Sequence, residues 1–485
     1  MVYDVIVVGG GGSGLAAAVS AAEHGASVLL LEQRAQLGGT TGIAVGSFTA
    51  NGTSLQRKAG INGDDADAHE QDAGKFPADE IEARNNSQLR RFFLSHTSDT
   101  LHWLMDMGLR FLGPHPEPPN RVPRMHNVIP GAKAYIATLH SRLLKLGGKI
   151  QVNAPVLRLI QSEGGAVAGV VASIAGIETE VLAKCGTILA AGDYANSPDT
   201  IARFKGERYR DIEGINPHAD GDGHRLAADA GAKLVNMDIT YGPELRFVPP
   251  KGATFQQLLP ARGVLAQLMA AVVPMLPAFV MNAMIRRLLV TWQHPEDALF
   301  DDGAVLINRE GNRFCDETRW PDREISVAAQ PSKECFLLLD EALIERYSVW
   351  PHFVSTAPKI AYAYVADYLK LRPDIAKTAP DLDSIARLRK LPKENLRAAA
   401  DSAGLKGNRW VLLGPARAWF TTTEGGAAIN QSFEVLDEAG TPIPGLYAVG
   451  QNGLGGQILW GHGLHIAWAI TSGRLCGKAL AQRAS

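Results

Sequence analysis

The chain has 485 residues, a length typical of about two or three domains with large buried cores. Apolar residues make up 46% of it and charged residues 20%, and the formal net charge is -2. Lys and Arg are spread along the chain, which argues against nucleic acid as a partner because phosphate binding needs a clustered basic surface. The cysteines form no C-x-x-C pair, so we predict no metal site, and scattered thiols favour a cytoplasmic location.

The first predicted elements form a β-α-β unit. Residues 3–9 are an apolar run that ends in glycine, 15–25 is an Ala-rich helix, and 27–32 is a second buried strand. Such a unit is right-handed and begins a parallel sheet, so we expect an α/β fold of the Rossmann type. The first apolar run lacks a basic flank and leads directly into a glycine turn, which favours a strand over a signal peptide.

The composition changes twice along the rest of the chain. Residues 51–130 are polar and proline-rich, which predicts helices and loops that cover the first domain. Charged helices and prolines dominate 244–410, and the last 75 residues return to strand, glycine loop and helix. We therefore predict a discontinuous domain of residues 1–243 and 411–485, interrupted by an inserted domain of residues 244–410.

One apolar segment, 263–285, contains no charged residue and is long enough to span a membrane. Pro274 and Pro277 interrupt it, and Arg262 and the Arg pair at 286–287 flank it. These features favour a broken core or interfacial helix over a membrane span. The alternative is an apolar surface that admits an apolar substrate or makes a peripheral membrane contact.

The glycines at the end of the first strand match the dinucleotide fingerprint G-x-G-x-x-G. Gly9 makes the tight turn, Gly11 lets the backbone approach a pyrophosphate, and Gly14 lets helix pack on strand. The N–H groups that open the following helix then face the phosphates. Glu32 ends the second strand, where a carboxylate can accept hydrogen bonds from the ribose hydroxyls.

Two further glycine-rich runs favour FAD over NAD. The Gly-Gly-Thr-Thr run at 38–41 supplies more donors for the pyrophosphate. A strand at 444–450 ends in glycine, and the loop at 461–466 opens the last helix. A second glycine cradle so far along the chain suits a long cofactor with an isoalloxazine ring, and a helix N-terminus can stabilise the negative charge of the reduced ring.

With these motifs the chain resembles the fumarate reductase/succinate dehydrogenase flavoprotein superfamily, which includes soluble fumarate reductases and 3-ketosteroid dehydrogenases. The resemblance covers nearly the whole chain. It implies an FAD domain interrupted by an α+β capping domain, with the active site between them. The matching stretches are 4–14, 31–32, 38–41, 188–192, 221–223, 311–314 and 441–450.

The resemblance also implies which residues contact the cofactor. Members with covalent flavin carry a histidine in the segment after Gly39, and 40–47 here contains none, so we expect non-covalent FAD. The predicted FAD contacts are Gly9, Gly11, Gly12, Ser13, Gly14, Glu32, Gln33, Gly39, Thr40, Thr41, Gly46, Val156, Ala191, Gly192, Gly450, Gln451, Leu464 and Ile466.

The dicarboxylate branch of this superfamily is disfavoured. Its members hold the substrate carboxylates with two histidines and a C-terminal arginine. The corresponding positions here are Pro243 and Thr422, and no arginine occurs in 458–466. A dianion needs bidentate cationic partners, so these losses argue against fumarate or succinate as substrate.

The C-terminal loop is more similar to that of the ketosteroid dehydrogenases. Their loop of the form G-x-G-x-x-I places a backbone N–H against the substrate ketone, and 461–466 matches it. Their preceding tyrosine, which also bonds the ketone, aligns with Leu459 or Trp460. The ketone-polarising pair is therefore incomplete or replaced, and a steroid substrate does not follow.

Five residues are candidates for catalysis. His462 lies in the loop expected against the flavin and can titrate near neutral pH, although a capping or core role is equally open. The family's proton-transferring residue aligns with Pro321, so Arg319 or Arg323 would have to replace it, with a surface salt bridge as the alternative. Tyr241, near the lost histidine position, is either a phenol that abstracts or donates a proton or a buried aromatic.

The remaining candidate, Trp320, belongs to a set of aromatic residues that suggests an apolar substrate if they do not simply form the core. The set comprises Trp320, Trp350, Phe353, Trp460 and Trp468.

We predict an FAD-dependent oxidoreductase that acts on a CH–CH bond next to a carbonyl of an apolar, cyclic substrate. Such chemistry needs a base for the α-proton, donors for the enolate, and a flavin that accepts hydride. Dehydrogenation is preferred, with an external electron acceptor, because the sequence contains no recognisable second redox centre. The alternatives are an ene-reductase fed by a separate carrier, an oxidase of C–N or C–O bonds, and a non-catalytic flavin scaffold or sensor.

Overall fold

A largely parallel sheet of eight strands forms the first unit of the fold. The computed structural model describes residues 1–252, 259–261, 263–357 and 361–484. Val8, at the end of the first strand, pairs with Leu31 on one side and with Leu189 on the other, so three strands end together at one edge. This edge is where parallel α/β sheets bind ligands. The predicted α/β fold with a Rossmann-like parallel sheet is confirmed.

The strands of this sheet follow the order Glu434–Leu436, Pro442–Ala448, Ile177–Leu189, Val2–Val8, Val28–Leu31 and Lys149–Gln151. Val167–Ile174 is added antiparallel to Ile177–Leu189, and Val156–Gln161 is added antiparallel to Val167–Ile174. The helices of the first unit are Gly12–Glu23, Gly39–Ile43, Ser54–Lys58, Ala66–Ala73, Asp79–Glu82, Ser87–Leu94, Thr97–Asp106, Lys133–Lys145, Asp222–Asp229 and Leu464–Ala481. A 3-10 turn covers Gly450–Gly453.

A small antiparallel sheet corrects the expectation of helices and loops alone between 51 and 130. Strands Arg110–His115 and Met125–Ile129 form a hairpin, and Ser47–Thr49 pairs with the second of them. The prolines at 114, 116, 118 and 119 lie at the end of the first strand and in the connection. They hid the strand pattern because proline removes a donor from a ladder.

The second unit is built on a six-stranded sheet with strand Trp410–Phe420 at its centre. The other strands are Glu213–Gly214, Glu244–Phe247, Val305–Ile307, Cys335–Leu339 and Ala376–Ala379. The helices around it are Pro198–Phe204, Ala278–Trp292, Ala298–Asp301, Asp322–Ala328, Glu341–Arg346, Val365–Leu371, Leu382–Arg389 and Lys393–Ser402, with a 3-10 turn at Glu207–Tyr209 and a hairpin of Ser355–Ala357 with Ala361–Ala363. Helix Val264–Val272, followed by the 3-10 turn Val273–Met275, lies beside strand Met125–Ile129 of the first unit.

Each unit has its own apolar core. The first core collects buried residues from 5 to 189, 226 to 232 and 427 to 481. The second runs from Tyr194 to Phe420. Two short ladders join the units, because Leu234–Val235 pairs with Gly426–Ala427 and Thr240–Tyr241 pairs with Thr422–Thr423. The exact boundaries at 243 and 411 stay a prediction.

The apolar segment forms a broken helix. Val264–Val272 is followed by the turn Val273–Met275 and then by Ala278–Trp292, so the break falls at Pro274 and Pro277 as the sequence indicates. Among the described residues, no helix is both long and apolar enough to cross a bilayer.

The first and last helices, Gly12–Glu23 and Leu464–Ala481, pack with their backbones in close contact. A Cβ atom added at Gly473 would lie 2.2 Å from the carbonyl oxygen of Ser13, and one at Gly477 would lie 2.2 Å from the carbonyl oxygen of Ala17. Only glycine fits at these distances. This contact holds the C-terminal part of the chain against its N-terminal turn.

We predict that Gly473→Ala destabilises the fold by about 2 kcal/mol, because a methyl group would push two helix backbones apart. Helix propensity alone predicts the opposite sign, a gain of about 1 kcal/mol. Urea unfolding followed by circular dichroism measures the difference. Gly131→Ala is the matched control, since a Cβ there meets no atom within 4 Å. A more stable Gly473→Ala variant would contradict the close approach.

Candidate active site

The glycine turn at the end of strand Val2–Val8 is closed on one side and open on the other. A Cβ at Gly14 would lie 1.9 Å from the Gly9 carbonyl oxygen, and one at Gly9 would lie 2.4 Å from the Ala190 carbonyl oxygen. At Gly11, in contrast, the nearest atom is the Gly38 carbonyl oxygen at 3.9 Å. The turn therefore leaves a groove beside Gly11, next to the N-terminus of helix Gly12–Glu23.

Glu32 is buried beneath this groove and is held by two backbone groups. Its Oε2 accepts a hydrogen bond from the Gly10 N–H at 2.8 Å, and its Oε1 accepts one from the Arg34 N–H at 2.8 Å. A carboxylate oxygen has a second lone pair, so both oxygens can still accept from a ligand. The predicted ribose contact stays a prediction.

Other predicted cofactor residues surround the groove. Gly39, Thr40 and Thr41 open helix Gly39–Ile43, and a Cβ at Gly12 would lie 2.6 Å from the Thr41 hydroxyl oxygen. Thr40 accepts a hydrogen bond from the Asn216 amide at 2.9 Å. Among the more distant predicted contacts, Val156 is buried, Gln33 is half-buried, and the Gly46 carbonyl accepts from the Tyr135 hydroxyl at 3.0 Å.

The loop that begins at Gly450 lies against the same glycine turn. A Cβ at Gly450 would lie 2.6 Å from the Ser13 hydroxyl oxygen, and the Gly450 N–H donates to the Ser472 hydroxyl at 3.0 Å. Asn452, which sequence reasoning missed, joins this loop to the end of strand Ile177–Leu189. Its amide accepts from the Ala191 N–H at 2.6 Å and donates to the Gly192 carbonyl at 3.0 Å.

These residues fit a dinucleotide cofactor. The groove beside Gly11 is a cradle that any side chain there would enter. Gln451 supplies a second sign, because its amide donates to Thr422 and to the Thr423 carbonyl while its Oε1 is buried without a hydrogen-bond partner among the described residues. A buried polar atom without a partner is costly, and a bound ligand can satisfy it.

His462 and Glu117 form a pair at the joint between the units. Glu117 is buried, and its Oε1 accepts both from the His462 N–H at 2.8 Å and from the His462 Nδ1 at 2.5 Å. The Thr49 hydroxyl donates to the His462 carbonyl at 2.6 Å, which fixes the loop. The imidazole side chain itself is 61% exposed. It is therefore oriented by the protein and open on one side.

The pKa of His462 is raised above its ordinary value. Desolvation lowers it, but the hydrogen bond and the charge of Glu117 together outweigh that effect, and the charge of Glu244 adds to them. The imidazole is therefore more readily protonated than a free histidine.

The second unit contributes a set of polar groups that act on one another electrostatically and on His462. Arg246 donates to Glu244 at 2.5 Å within strand Glu244–Phe247. Burial raises the pKa of Glu244, but Arg246, His294 and His462 together lower it by more than burial raises it. The pKa of Glu244 therefore lies below its ordinary value. Burial lowers the pKa of His294, which favours its neutral form. The ring of Tyr241 meets Trp460 edge to face at 5.7 Å between centroids.

A third acidic group joins the last helix to the strands that link the two units. Glu424 is buried. Its carboxylate accepts hydrogen bonds from His465 Nε2 at 2.7 Å and from the Leu459 N–H at 3.1 Å. Close to it, the Thr422 hydroxyl donates to Asp193 at 2.5 Å, and burial raises the pKa of this aspartate.

The predicted catalytic residues thus fall into two groups. His462 and Tyr241 belong to the polar cluster at the joint. Arg323 donates to Glu324 at 2.6 Å and to Asp297 at 2.9 Å, an arrangement typical of a structural ion pair in the second unit.

Arg319 and Trp320 lie on the surface of the second unit. Arg319 is exposed, and its backbone N–H donates to the Asp316 carbonyl. Trp320 is exposed as well, and its indole donates to the Pro243 carbonyl at 3.0 Å. Catalytic roles for Arg319, Trp320 and Arg323 stay predictions that these contacts do not support.

Sequence reasoning missed most polar members of the cluster. These are Glu117, Glu244, Arg246, His294, Glu424 and His465. His465 lies within the 461–466 loop and was overlooked there, whereas the other five lie outside the matching stretches, so no local spacing connects them.

Comparison with known proteins agrees with this geometry. The profile of the FAD binding domain family matches residues 4–457. The chain is 26% identical to the vinyl phenol reductase of Lactiplantibacillus plantarum, over 99% of this chain and 96% of that protein.

Two solved structures share the fold. A flavocytochrome c3 fumarate reductase in an open conformation superposes with a TM-score of 0.74, at 22% identity, and covers 100% of this chain and 78% of that one. The 3-ketosteroid Δ1-dehydrogenase from Sterolibacterium denitrificans gives a TM-score of 0.67 at 16% identity, with 99% and 100% coverage. The resemblance to the fumarate reductase/succinate dehydrogenase superfamily is confirmed. The chain belongs to the FAD binding domain family, and it is an oxidoreductase with FAD as its cofactor.

Proposed function

We propose that the chain reduces a C=C bond conjugated with an uncharged polar group, such as a carbonyl or a phenol ring, in an apolar substrate. The observation that carries this proposal is the contact of 2.5 Å between His462 Nδ1 and Glu117 Oε1 at the joint between the two units, where Glu117 raises the pKa of the imidazole. A separate carrier supplies the electrons, and FAD is bound non-covalently.

Reduction of an activated C=C bond needs a hydride for one carbon and a proton for the other. FAD, when bound, supplies the hydride chemistry. His462 suits the proton transfer, because its Nδ1 is engaged with Glu117 and its Nε2 is the nitrogen left to serve a substrate carbon. Its raised pKa favours the protonated form, which is the acid that reduction requires.

The charges of the cluster suit a neutral substrate. Arg246 is paired with Glu244, His462 with Glu117 and His465 with Glu424, at distances of 2.5, 2.5 and 2.7 Å. A dicarboxylate would have to displace these acidic partners in order to bind the cations. The edge-to-face pair of Tyr241 and Trp460 offers aromatic surface to a conjugated, planar molecule.

The direction we propose differs from the one that the sequence favours. Dehydrogenation needs a base, and a histidine with a raised pKa is a weaker candidate for that role near neutral pH. One relative, which aligns with this chain over 96% of its own length, is named a vinyl phenol reductase, and this name supports the reductive direction.

The substrate class can be tested by stopped-flow spectroscopy without oxygen. We predict that an uncharged enone or a vinyl-substituted phenol restores the absorbance of oxidised flavin when mixed with the reduced holoenzyme. Fumarate restores this absorbance at least about 100-fold more slowly, because Arg246, His462 and His465, the cations that could bind its carboxylates, are already paired with acidic side chains. Equal rates with fumarate would contradict the proposal. Bleaching of the oxidised enzyme by the saturated compound, with no reaction of the reduced enzyme, would favour dehydrogenation instead.

The role of the pair can be tested through the pH profile. We predict that kcat/KM for reduction falls as the pH rises through the raised pKa of His462, because the acid form is lost there. Glu117→Gln removes the charge that raises this pKa, so the falling limb moves to lower pH. His462→Gln lowers kcat/KM by about 100-fold or more and removes the limb.

Glu394→Gln is the control for this experiment. Glu394 lies in helix Lys393–Ser402 of the second unit, and its ion pairs among the described residues are with the neighbouring surface cations Lys393 and Arg397. Its profile matches that of the unchanged protein. A profile of Glu117→Gln with an unmoved limb would assign the titration to another group.

A further inference from the structure

The helix Val264–Val272 and the turn that follows it expose large apolar side chains along one face. Leu265, Leu268, Val272 and Met275 are 60, 57, 44 and 83% exposed. Their spacing of three, four and three residues places them on the same side of a helix. The four side chains, defined here as the apolar face, form a continuous strip and not scattered surface residues.

The opposite side of this helix faces the first unit at the small residue Ala266. Ala266 is buried, and with Ala261 and Gly263 it lines a cavity of about 620 Å³ that Trp103 and Ile129 of the first unit also line. A helix on the surface of a water-exposed protein directs its large apolar residues inward. This helix does the reverse, so its leucines are placed for a contact outside the chain.

The charge of the surrounding sequence indicates the kind of contact. Residues 248–295 contain four basic residues, Lys251, Arg262, Arg286 and Arg287, and no acidic residue. The whole chain, in contrast, has a net charge of -2. Lys251 is exposed, and the side chain of Arg286 is 40% exposed although it lies 3.8 Å from Asp367.

We propose that the apolar face docks on the surface of an anionic lipid bilayer. An apolar strip whose neighbouring sequence carries basic residues is the pattern of a helix that lies in the membrane interface. A second copy of this chain fits less well, because a two-fold interface would bring the same basic surface against itself. Docking of this kind leaves the chain on the membrane and does not require a span.

The proposal is tested with the holoenzyme by co-sedimentation with lipid vesicles. We expect binding to phosphatidylcholine vesicles that contain about 30% phosphatidylglycerol, and weaker binding to pure phosphatidylcholine. About 0.5 M NaCl reduces the binding to the charged vesicles, because it screens the basic residues. The double variant Leu265→Glu/Leu268→Glu lowers the bound fraction about tenfold or more, because two carboxylates replace the centre of the apolar face.

Leu388→Glu is the matched control. Leu388 lies on helix Leu382–Arg389 and is 53% exposed, close to the exposure of Leu268. The substitution likewise replaces an exposed leucine with a carboxylate, but it does so away from the apolar face. Its binding to charged vesicles equals that of the unchanged protein. All variants are compared for flavin absorbance and thermal unfolding, and Met275→Glu, in the turn beyond the helix, provides an independent variant if the double variant does not fold.

Three results would overturn the proposal. One is a holoenzyme that stays in the supernatant with both kinds of vesicle. Another is an equal loss of binding in the Leu388→Glu control. The third is a dimer in sedimentation velocity that Leu265→Glu/Leu268→Glu dissociates while no vesicle binding occurs, which would make the apolar face a self-association surface.

Discussion

The close approach of the first and last helices is the contact on which the cofactor site depends. Gly473 and Gly477 let helix Leu464–Ala481 lie directly on the backbone of helix Gly12–Glu23. Because the last helix is held in this way, Gly450 lies against Ser13, and the loop at 461–466 packs on strand Ser47–Thr49, where the Thr49 hydroxyl donates to the His462 carbonyl. Residues from opposite ends of the chain thereby form one groove.

The second unit is joined to this groove through strand Trp410–Phe420 and the short ladders that follow it. The chain leaves the six-stranded sheet at Phe420, pairs Thr422–Thr423 with Thr240–Tyr241, and returns to the first unit at Gly426–Ala427. Glu424 lies within this crossing and holds His465 of the last helix. The acid–base groups therefore lie where the two units meet, and small changes in their relative position will alter the distances between proton donor and substrate.

Much of the fold and of the cofactor groove could be predicted from the sequence, because their signals are local. The glycines of the turn, the strand before them and Glu32 lie within one β-α-β unit, and its hydrophobic pattern is unbroken. The cluster at the joint could be predicted only in part. His462 belongs to a recognisable loop, but Glu117 comes from a proline-rich connection and Glu244 from a strand of the other unit. Only tertiary structure brings such residues together.

The central claim is that this joint holds a proton on His462 for delivery to a substrate carbon. The most direct test is an NMR titration of the holoenzyme labelled with ¹³C-histidine, with His462→Gln used to assign the signal. The account predicts a pKa for His462 above the ordinary histidine value of 6.5. A pKa at or below 6.5 would contradict it, because the imidazole would then be neutral under the conditions in which it is supposed to act as the acid.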